Sequence, residues 1–243
     1  MGAHATRHEV ATVNVAVRGG DGVESDIGVA GATLVDERDA DAVVVVGADA
    51  LRSVATDPPT PPILPITAEG GRHLVERAAL VGALAAVGAG DGHVEPHPIL
   101  GVRRDGTTVT RALQDVTLMT VAPGSISEYA VDAGKRSLES VRADGIVVAT
   151  PLGSDGYAAA AGGPVIEADT GVSVVPVAPF ITRPAVRVAD PEAGLTLSVE
   201  REGDVALFVD GVRHGTVAVD TDLRIDRVDT VDVVAPQQRT ETF

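Results

Sequence analysis

The apolar run AVVVV at residues 42–46 most constrains what this chain can fold into. A strand with apolar side chains on both faces is typical of a parallel sheet that is covered on both sides. Aromatic residues make up only 2% of the 243 residues, so valine, alanine, leucine and isoleucine must supply the core. Because consecutive valines favour strands, the sequence predicts a sheet-rich fold in two domains.

The first 92 residues predict a small α/β lobe. Its predicted elements are a strand at 12–17, the strand at 42–46, a turn at 47–50, an extended connector at 57–65 and a helix at 68–87 that ends at Gly88 and Gly90. The connector, DPPTPPILP, contains five prolines, which exclude a helix and a central strand. Ile63 and Leu64 are expected to reach the core.

From residue 93 the sequence changes to short alternating runs separated by turn residues. These runs predict strands at 99–103, 107–113, 116–121, 125–131 and 145–150, with one short helix at 155–161. The predicted fold class is therefore α/β plus β, with a small N-terminal α/β lobe at 1–92 and a larger β-rich C-terminal lobe at 93–243.

The formal charge is −16, and Lys135 is the single lysine among 19 basic residues. Such a field argues against nucleic-acid and anionic-membrane partners, which bind through clustered Lys and Arg. A phosphate-bearing ligand must instead be held by backbone amides, an arginine or a metal. The chain has no cysteine, and its sequence has neither an apolar signal segment nor a run long enough to span a membrane. We expect a cytoplasmic protein from a halophilic source.

The passage RADGIVVATPLGSDGYAAAAGGPVI at 142–166 is the best candidate for a ligand site. A buried strand ends there in a Gly/Ser turn and a small-residue helix. Gly153 permits close backbone approach, Ser154 can cap the helix, and the alanines at 158–161 leave room for a flat group. A strand–turn–helix unit packed tightly for structural reasons alone accounts for the passage about equally well.

ADGIVVATPLGSDGY and AGGPVI within this passage resemble the signature of the NAD kinase family. The segments PVAPFITRPAVRV at 176–188, FVDGVRHG at 208–215 and RALQDVTL at 111–118 resemble further family motifs. DAVVVVGADALRSVA at 41–55 lies where that family has the strand leading into its GGDGT loop. The resemblance implies an NAD-kinase-like fold that forms homodimers or homotetramers through the β-rich lobe.

The resemblance also implies phosphoryl transfer from ATP or polyphosphate, with Mg²⁺ carried by the donor, to the 2′-hydroxyl of the adenosine ribose of NAD. Asp49 corresponds to the catalytic aspartate of GGDGT, and Gly47, Ala48 and Ala50 correspond to the loop around the donor phosphates. The residues implied to bind the substrate are Gln114, Asp115, Asp144, Gly153, Ser154, Asp155, Gly156, Tyr157 and Ala160.

Departures from the family pattern leave other functions open. The family's GGDGT is Gly47-Ala48-Asp49-Ala50-Leu51 here. If the replaced glycines have positive φ, each alanine costs about 1–2 kcal/mol or forces another loop path. Gln114 is longer than the family's asparagine, and Asp155 adds a negative charge to the turn. The alternatives are a non-catalytic NAD(P)- or nucleotide-binding paralogue and a kinase acting on another hydroxyl.

Three other patterns compete for a role. RGGDGV at 18–23 contains a literal GGDG and would make Asp21 the catalytic candidate, but no apolar helix pattern follows it. His93, Glu95 and His97 offer metal-ligand chemistry, although the prolines of HVEPHP favour a solvated turn. For Asp144 and Asp210, each followed by glycine, turn chemistry is as good an explanation as function.

Overall fold

The computed structural model describes residues 13–20, 22–68, 70–122, 124–134, 136–181, 186–201 and 204–235. The chain divides into two compact units. Unit 1 comprises Met1–Ala50, Pro59–Val94 and Val233–Phe243, and unit 2 comprises Leu51–Pro58 and Glu95–Asp232. Each unit therefore takes a short segment from outside its main stretch of sequence.

Unit 1 is built on a parallel sheet. Its strands are β1 (Asn14–Arg18), β2 (Thr33–Leu34), β3 (Ala42–Val46), β4 (Ile63–Thr67) and β5 (Val75–Glu76), and its helices are α1 (Glu24–Val29), α3 (Leu80–Ala89) and the first turn of α2 (Ala48–Thr56). β1 lies between β2 and β3, and β3 pairs on its other side with β4. The predicted valine strand is confirmed as β3, and Ala42–Val45 are buried there.

The prediction of an extended connector outside the sheet is wrong for its last residues. Ile63, Leu64 and Pro65 all lie in β4, with Ile63 and Leu64 fully buried as expected. Val43 donates to the carbonyl of Pro62, so the amide position of Pro65, three residues on, points away from β3. On that side β4 pairs with β17 only at Ile63 and with β5 from Ile66 onward, so Pro65 falls between the two pairings.

Two further predictions for this region need correction. The expected turn at 47–50 is reduced to Gly47, because α2 begins at Ala48. The helix expected at 68–87 begins only at Leu80, since Gly70 has a φ of 70° and β5 pairs with β4 before α3 starts. The glycine stop is confirmed at Gly90, which caps α3 in the left-handed conformation.

Unit 2 contains two antiparallel arrays of strands. One sheet has the order β13-β12-β11-β8-β15-β16. The other array has the order β10-β9-β14-β17, and β6 pairs with β17 and with β7. The strands are β6 (Val94–Arg104), β7 (Thr107–Ala112), β8 (Asp115–Thr120), β9 (Ser127–Ala133), β10 (Arg136–Ala143), β11 (Gly145–Ala149), β12 (Val172–Val177), β13 (Arg187–Ala189), β14 (Leu195–Arg201), β15 (Val205–Val209), β16 (Val212–Val217) and β17 (Asp222–Val234).

One hydrophobic core lies between these two arrays. Val116, Leu118 and Ile146 enter it from the six-stranded sheet, and Tyr129 and Leu197 enter it from the other array. This face-to-face packing gives unit 2 the architecture of a β-sandwich. The helix expected at 155–161 is the shorter α4 (Tyr157–Ala160).

The last strand of unit 2 also contributes to unit 1. Val233, near the end of β17, pairs in parallel with Ile63 of β4. Val234 is buried in the same hydrophobic cluster as Val15, Val44 and Leu64. The core of unit 1 therefore combines residues from both ends of the sequence.

The solvated turn expected at HVEPHP is wrong. Residues from Val94 onward belong to β6, and His97 is fully buried. The pairing of β6 with β7 begins at Leu100, so Pro96 and Pro98 precede that ladder and remove no donor from it. Among the described residues, no helix has the length and hydrophobicity needed to cross a bilayer.

Candidate nucleotide site

The turn after β11, at residues 150–156, is hydrogen-bonded to the two residues just before β8. The Thr150 hydroxyl donates to the carbonyls of Leu113 (2.7 Å) and Gln114 (3.1 Å), and the Thr150 amide donates to the Gln114 carbonyl at 2.9 Å. β11 and β8 are neighbours in the sheet, which brings these two ends together. The candidate site is therefore built on paired strands of one sheet.

Gly153 gives this turn a close backbone contact. A Cβ at Gly153 would lie 2.3 Å from the carbonyl oxygen and 2.8 Å from the Cα of Gln114. The sequence predicted close backbone approach at Gly153, and the structure shows that the approaching group is the backbone of Gln114. Glycine is required here so that the turn and the residues before β8 can lie side by side.

Ser154 is not the helix cap that the sequence predicts. Gly156 occupies the N-cap of α4, which has no side-chain hydrogen bond. Ser154 is fully buried; its hydroxyl donates to the Pro151 carbonyl at 2.8 Å and accepts from the Ile166 amide at 3.1 Å. Its hydrogen bonds hold the turn against the segment that follows α4. The exposed positions of the turn and of α4 are Gly156, Tyr157 and Ala160.

Asp115 begins β8 beside this turn. Burial raises the pKa of its carboxyl from 3.8 to about 6, and the nearby Asp210 adds to the increase, whereas a hydrogen bond from Thr117 (3.0 Å) opposes it. A partly buried carboxylate accepts hydrogen bonds from ligand hydroxyls with less competition from bulk water than an exposed one. Asp115 is therefore suited to bind a polar ligand group.

Tyr157 lies within electrostatic range of Asp115 and of Asp144. The two carboxylates are at opposite ends of β11, since Asp115 pairs with the last residue of that strand and Asp144 precedes its first. The pKa of the Tyr157 phenol is raised by burial and by the negative charges of Asp115 and Asp144. Tyr157 is nevertheless 43% exposed, so part of its ring faces solvent. Asp144 is exposed, and its carbonyl accepts hydrogen bonds from the Thr120 amide (2.8 Å) and the Tyr129 hydroxyl (3.3 Å).

Asp210 is the site residue for which the sequence offered turn chemistry as an equal explanation. Its side chain accepts hydrogen bonds from the amides of Leu113, Gln114 and Asp115 at 2.9, 2.7 and 3.0 Å. The Asp-Gly pair predicts a hairpin turn, and the turn is present between β15 and β16. The sequence contains no local signal for the burial of Asp210, because its partners lie 95–97 residues earlier in the chain.

In unit 1, residues 47–50 correspond to the family's donor-phosphate loop. The two alanines in it do not adopt the positive φ considered for the glycines they replace. Gly47 has a φ of 88°, and Ala48 and Ala50 lie in the first turn of α2. Neither alanine is among the described residues with positive φ, so the loop avoids the strain considered above. Asp49 is exposed in the same turn, where the helix dipole favours a negative charge.

The competing RGGDGV motif packs against this loop. A Cβ at Gly19 would lie 2.5 Å from the Cβ of Ala50, and one at Gly20 would lie 2.5 Å from a methyl of Val46. These glycines therefore serve close packing between the ends of β1 and β3. The sequence after the motif has no apolar helix pattern, yet a short helix, α1, begins at Glu24, and Ile27 is its buried residue. Asp21 lies outside the described residues.

Comparisons with known proteins agree with this geometry. Residues 113–234 match the family model described as the ATP-NAD kinase C-terminal domain. An NAD kinase of Thermococcus kodakarensis is 34% identical over 203 residues, which cover 79% of this chain and 72% of that protein. An NAD kinase of Methanosarcina barkeri is 34% identical over 126 residues, which cover 51% of this chain.

The chain spans about half the length of some of these relatives, namely 46% of the Methanosarcina barkeri protein and 54% of the Methanopyrus kandleri NAD kinase. The crystal structure of an NAD kinase from Archaeoglobus fulgidus in complex with ATP has a TM-score of 0.65 and 24% identity to this chain. It matches over 91% of this chain and 92% of that chain, a likeness of fold. Since the family match spans the candidate site from Leu113 to Asp210, and a relative that is 34% identical is covered over 72% of its length, this chain belongs to the NAD kinase family.

Proposed function

We propose that the chain transfers a phosphoryl group from ATP or polyphosphate to the 2′-hydroxyl of the adenosine ribose of NAD, giving NADP. Family membership supports the reaction class. The observation that carries the proposal is that the half-exposed Tyr157, just after the turn that follows β11, lies within electrostatic range of both Asp115 and Asp144. The two carboxylates are at opposite ends of β11. The three residues offer two carboxylates for sugar hydroxyls and one aromatic face for a base or a nicotinamide ring.

In this proposal the sugar is held by the segment before β8. Asp115 accepts a ribose hydroxyl, and Gln114 offers a second polar group from the adjacent position. The exposed Gly156 and Ala160 leave the surface next to Tyr157 free of bulky side chains, so a flat ring can lie against α4. Asp155 lies in the same turn and is expected to contact the polar part of the dinucleotide.

Asp49 is the proposed general base. It accepts the proton of the 2′-hydroxyl while the hydroxyl oxygen forms a bond to the terminal phosphorus of the donor, and the bond from that phosphorus to ADP or to the shortened polyphosphate breaks. Gly47 and Ala48, with Ala50, are the proposed donor loop. A helix start directs backbone N–H groups beyond its end, which is an arrangement that binds phosphate oxygens.

The donor phosphates are proposed to bring Mg²⁺ with them. Asp49 is an exposed carboxylate, the hard oxygen ligand that Mg²⁺ prefers, so the residues present fit the ion. When bound, the ion neutralises phosphate charge. That contribution matters in a chain of net charge −16, whose field repels polyphosphate.

The same field supports the proposal that the partners are dinucleotides and phosphoryl donors rather than nucleic acid or membranes. We further propose a cytoplasmic homodimer or homotetramer that assembles through the β-rich unit, as the family resemblance implies. Light scattering coupled to size-exclusion chromatography in 2 M KCl tests the assembly, and a monomer at micromolar concentration would contradict it.

The function is tested by NADP formation, read with an NADP-specific dehydrogenase after incubation with NAD, Mg²⁺ and either ATP or polyphosphate. Asp49→Asn is expected to abolish turnover and to leave NAD binding intact. Asp57→Asn, at an exposed position just after the end of the same helix, is the matched control and should retain activity. Equal activity of Asp49→Asn and wild type would exclude Asp49 as the base.

A second candidate is a non-catalytic NAD(P)-binding paralogue. It is favoured by the sequence Gly47-Ala48-Asp49-Ala50, in which α2 starts immediately after a single glycine. Calorimetric binding of NAD or NADP without turnover on any donor would support this candidate over the enzyme.

A further inference from the structure

Two Asp-Gly turns in unit 2 have the same backbone but different surroundings. Asp105-Gly106 joins β6 to β7 with φ values of 50° and 75°, and Asp210-Gly211 joins β15 to β16 with φ values of 47° and 77°. Asp105 is exposed, whereas Asp210 is only 6% exposed. Turn formation therefore accounts for Asp105 but leaves the burial of Asp210 unexplained.

Both carboxylate oxygens of Asp210 are engaged by three consecutive amides. Oδ2 accepts from Leu113, and Oδ1 accepts from Gln114 and Asp115. In a regular strand successive N–H groups point to opposite sides, so three consecutive N–H groups meet one acceptor only where the chain curls around it. The Asp210 amide completes the contact by donating to the Asp115 carbonyl at 2.9 Å.

Opposing influences act on the charge of the Asp210 carboxyl. Burial raises the pKa of its carboxyl, while the three amides and the positive charge of Arg52 oppose that increase. Asp115 is the acidic neighbour, and its own surroundings include Asp210, the Thr117 hydroxyl and Tyr157. The three groups that contact its two oxygens are all N–H donors, so the geometry fits a carboxylate around which the segment 113–115 is arranged.

We propose that Asp210 is a positioning residue that holds the backbone of Leu113, Gln114 and Asp115 so that the Gln114 and Asp115 side chains face the sugar of the substrate. This inference rests on the proposed function, because it assigns Gln114 and Asp115 to the ribose. Asp210 itself does not touch the substrate. Its effect on binding passes through three amide hydrogen bonds.

Asp210→Asn is the variant that separates positioning from turn formation. Asparagine adopts the left-handed conformation as readily as aspartate, so the turn is retained. The single amide oxygen of asparagine can replace Oδ1. The NH₂ group then stands where Oδ2 was, and it cannot accept the hydrogen bond of the Leu113 amide because both groups are donors. Loss of charge-assisted hydrogen bonds of this kind is expected to raise the Kd and the KM for NAD by about 10-fold or more. We expect kcat to change by less than about 3-fold on the same reasoning.

Asp105→Asn is the matched control, because it makes the same substitution in the same type of turn. It should leave NAD affinity unchanged. Amide hydrogen exchange is measured in parallel for both variants. Protection of the amides of residues 113–115 should fall in Asp210→Asn and stay at the wild-type level in Asp105→Asn.

The pH profile gives a readout that a purely structural role would not move. The negative charge of Asp210 raises the pKa of Asp115, so Asp210→Asn should shift the acid limb of NAD binding to lower pH. If the variant does not fold, Asp210→Glu keeps the charge and displaces the carboxylate by one methylene. It should then show the loss of exchange protection and the weaker NAD binding without the pH shift.

The outcomes separate this inference from the proposed function. Wild-type protein that binds no NAD overturns the proposed function. Wild-type protein that binds NAD, together with an Asp210 variant of unchanged affinity or unchanged exchange protection at residues 113–115, overturns the role of Asp210 alone.

Discussion

Gly153 lies against the backbone of Gln114 so closely that an alanine Cβ would stand 2.3 Å from the Gln114 carbonyl oxygen. The contact joins the turn after β11 to the segment that carries the proposed ribose-binding residues. Two pieces of the site that are 39 positions apart in sequence are thus held by direct backbone contact. Any side chain at position 153 must separate them.

Gly153→Ala is expected to destabilise the protein by about 1–3 kcal/mol, the usual range for inserting a methyl group into packed structure, and to weaken NAD binding as well. Gly82→Ala is the control, because a Cβ at Gly82 in α3 meets nothing within 4 Å. It should stabilise the helix by up to about 1 kcal/mol. Urea denaturation measures both, and an unchanged midpoint for Gly153→Ala would contradict the contact.

Thr150→Val should lower stability by about 1–3 kcal/mol, because the change keeps the shape of the side chain but leaves the Leu113 carbonyl without its 2.7 Å hydrogen bond. Thr150→Ser keeps the hydroxyl and should lose less. Thermal denaturation compares the two variants. Equal stability of the serine and valine variants would show that the hydroxyl has no structural role.

Asp115→Asn is expected to make the protein more stable at neutral pH while weakening NAD binding. The wild-type pKa is raised from 3.8 to about 6, so the native state becomes less stable as the pH rises through about 6 and the buried carboxyl ionises. At about 1.4 kcal/mol per pKa unit, the variant should gain up to about 3 kcal/mol at pH 7 and nothing near pH 4.

This pH dependence is measured by urea unfolding between pH 4 and pH 8 at constant salt. Asp105→Asn, a change at an exposed turn position, should follow the wild-type curve at every pH. Parallel curves for Asp115→Asn and wild type would show that Asp115 ionises as freely in the folded chain as in the unfolded one.

Tyr157→Ala should reduce NAD affinity about 10-fold, because stacking of a base on an aromatic ring contributes about 1–3 kcal/mol. The ring is 43% exposed, so stability should change little. Tyr157→Phe keeps the aromatic face and should bind NAD nearly as well as wild type. Calorimetry of the three proteins checks the order, and equal affinity of the alanine variant would remove Tyr157 from the site.

The melting temperature is expected to rise with KCl concentration. Screening shortens the range of charge repulsion from about 10 Å at 0.1 M to about 3 Å at 1 M salt, and the chain carries a net charge of −16. Thermal scans between 0.1 and 3 M KCl test this, with sucrose as a control for excluded-solute effects. A melting temperature independent of KCl would argue against adaptation to a salt-loaded cytoplasm.

The elements that depend on local sequence were predictable. The valine run of β3 and the cap at Gly90 follow from side-chain periodicity and from the conformational freedom of glycine. The α/β plus β fold class followed from the same patterns. The sequence excluded Pro65 from the sheet because proline has no N–H donor, whereas Pro65 lies in β4. Whether its nitrogen faces a neighbouring strand depends on the register of β4, which the sequence does not reveal.

Within the candidate site, the sequence predicted only those residues that occupy positions of the family motifs. Asp115, Asp144 and Tyr157 were named from motif positions, and in the structure the Tyr157 phenol lies within electrostatic range of both carboxylates. Ser154 has the residue type of a cap, yet its burial against Ile166 assigns it to internal packing. The hydrogen bonds from the amides of residues 113–115 to Asp210 join parts of the chain that are almost 100 positions apart. Neither composition nor periodicity predicts a contact over that separation.

The burial of Val234 beside Val15 and Leu64 has a consequence for biosynthesis. A chain leaves the ribosome from its N-terminus, so Leu64 waits for a partner that is translated 170 residues later. Contacts of such wide separation slow folding, and the early sheet stays open to wrong associations in the meantime. Unit 1 therefore completes this core only after Val234 has been translated.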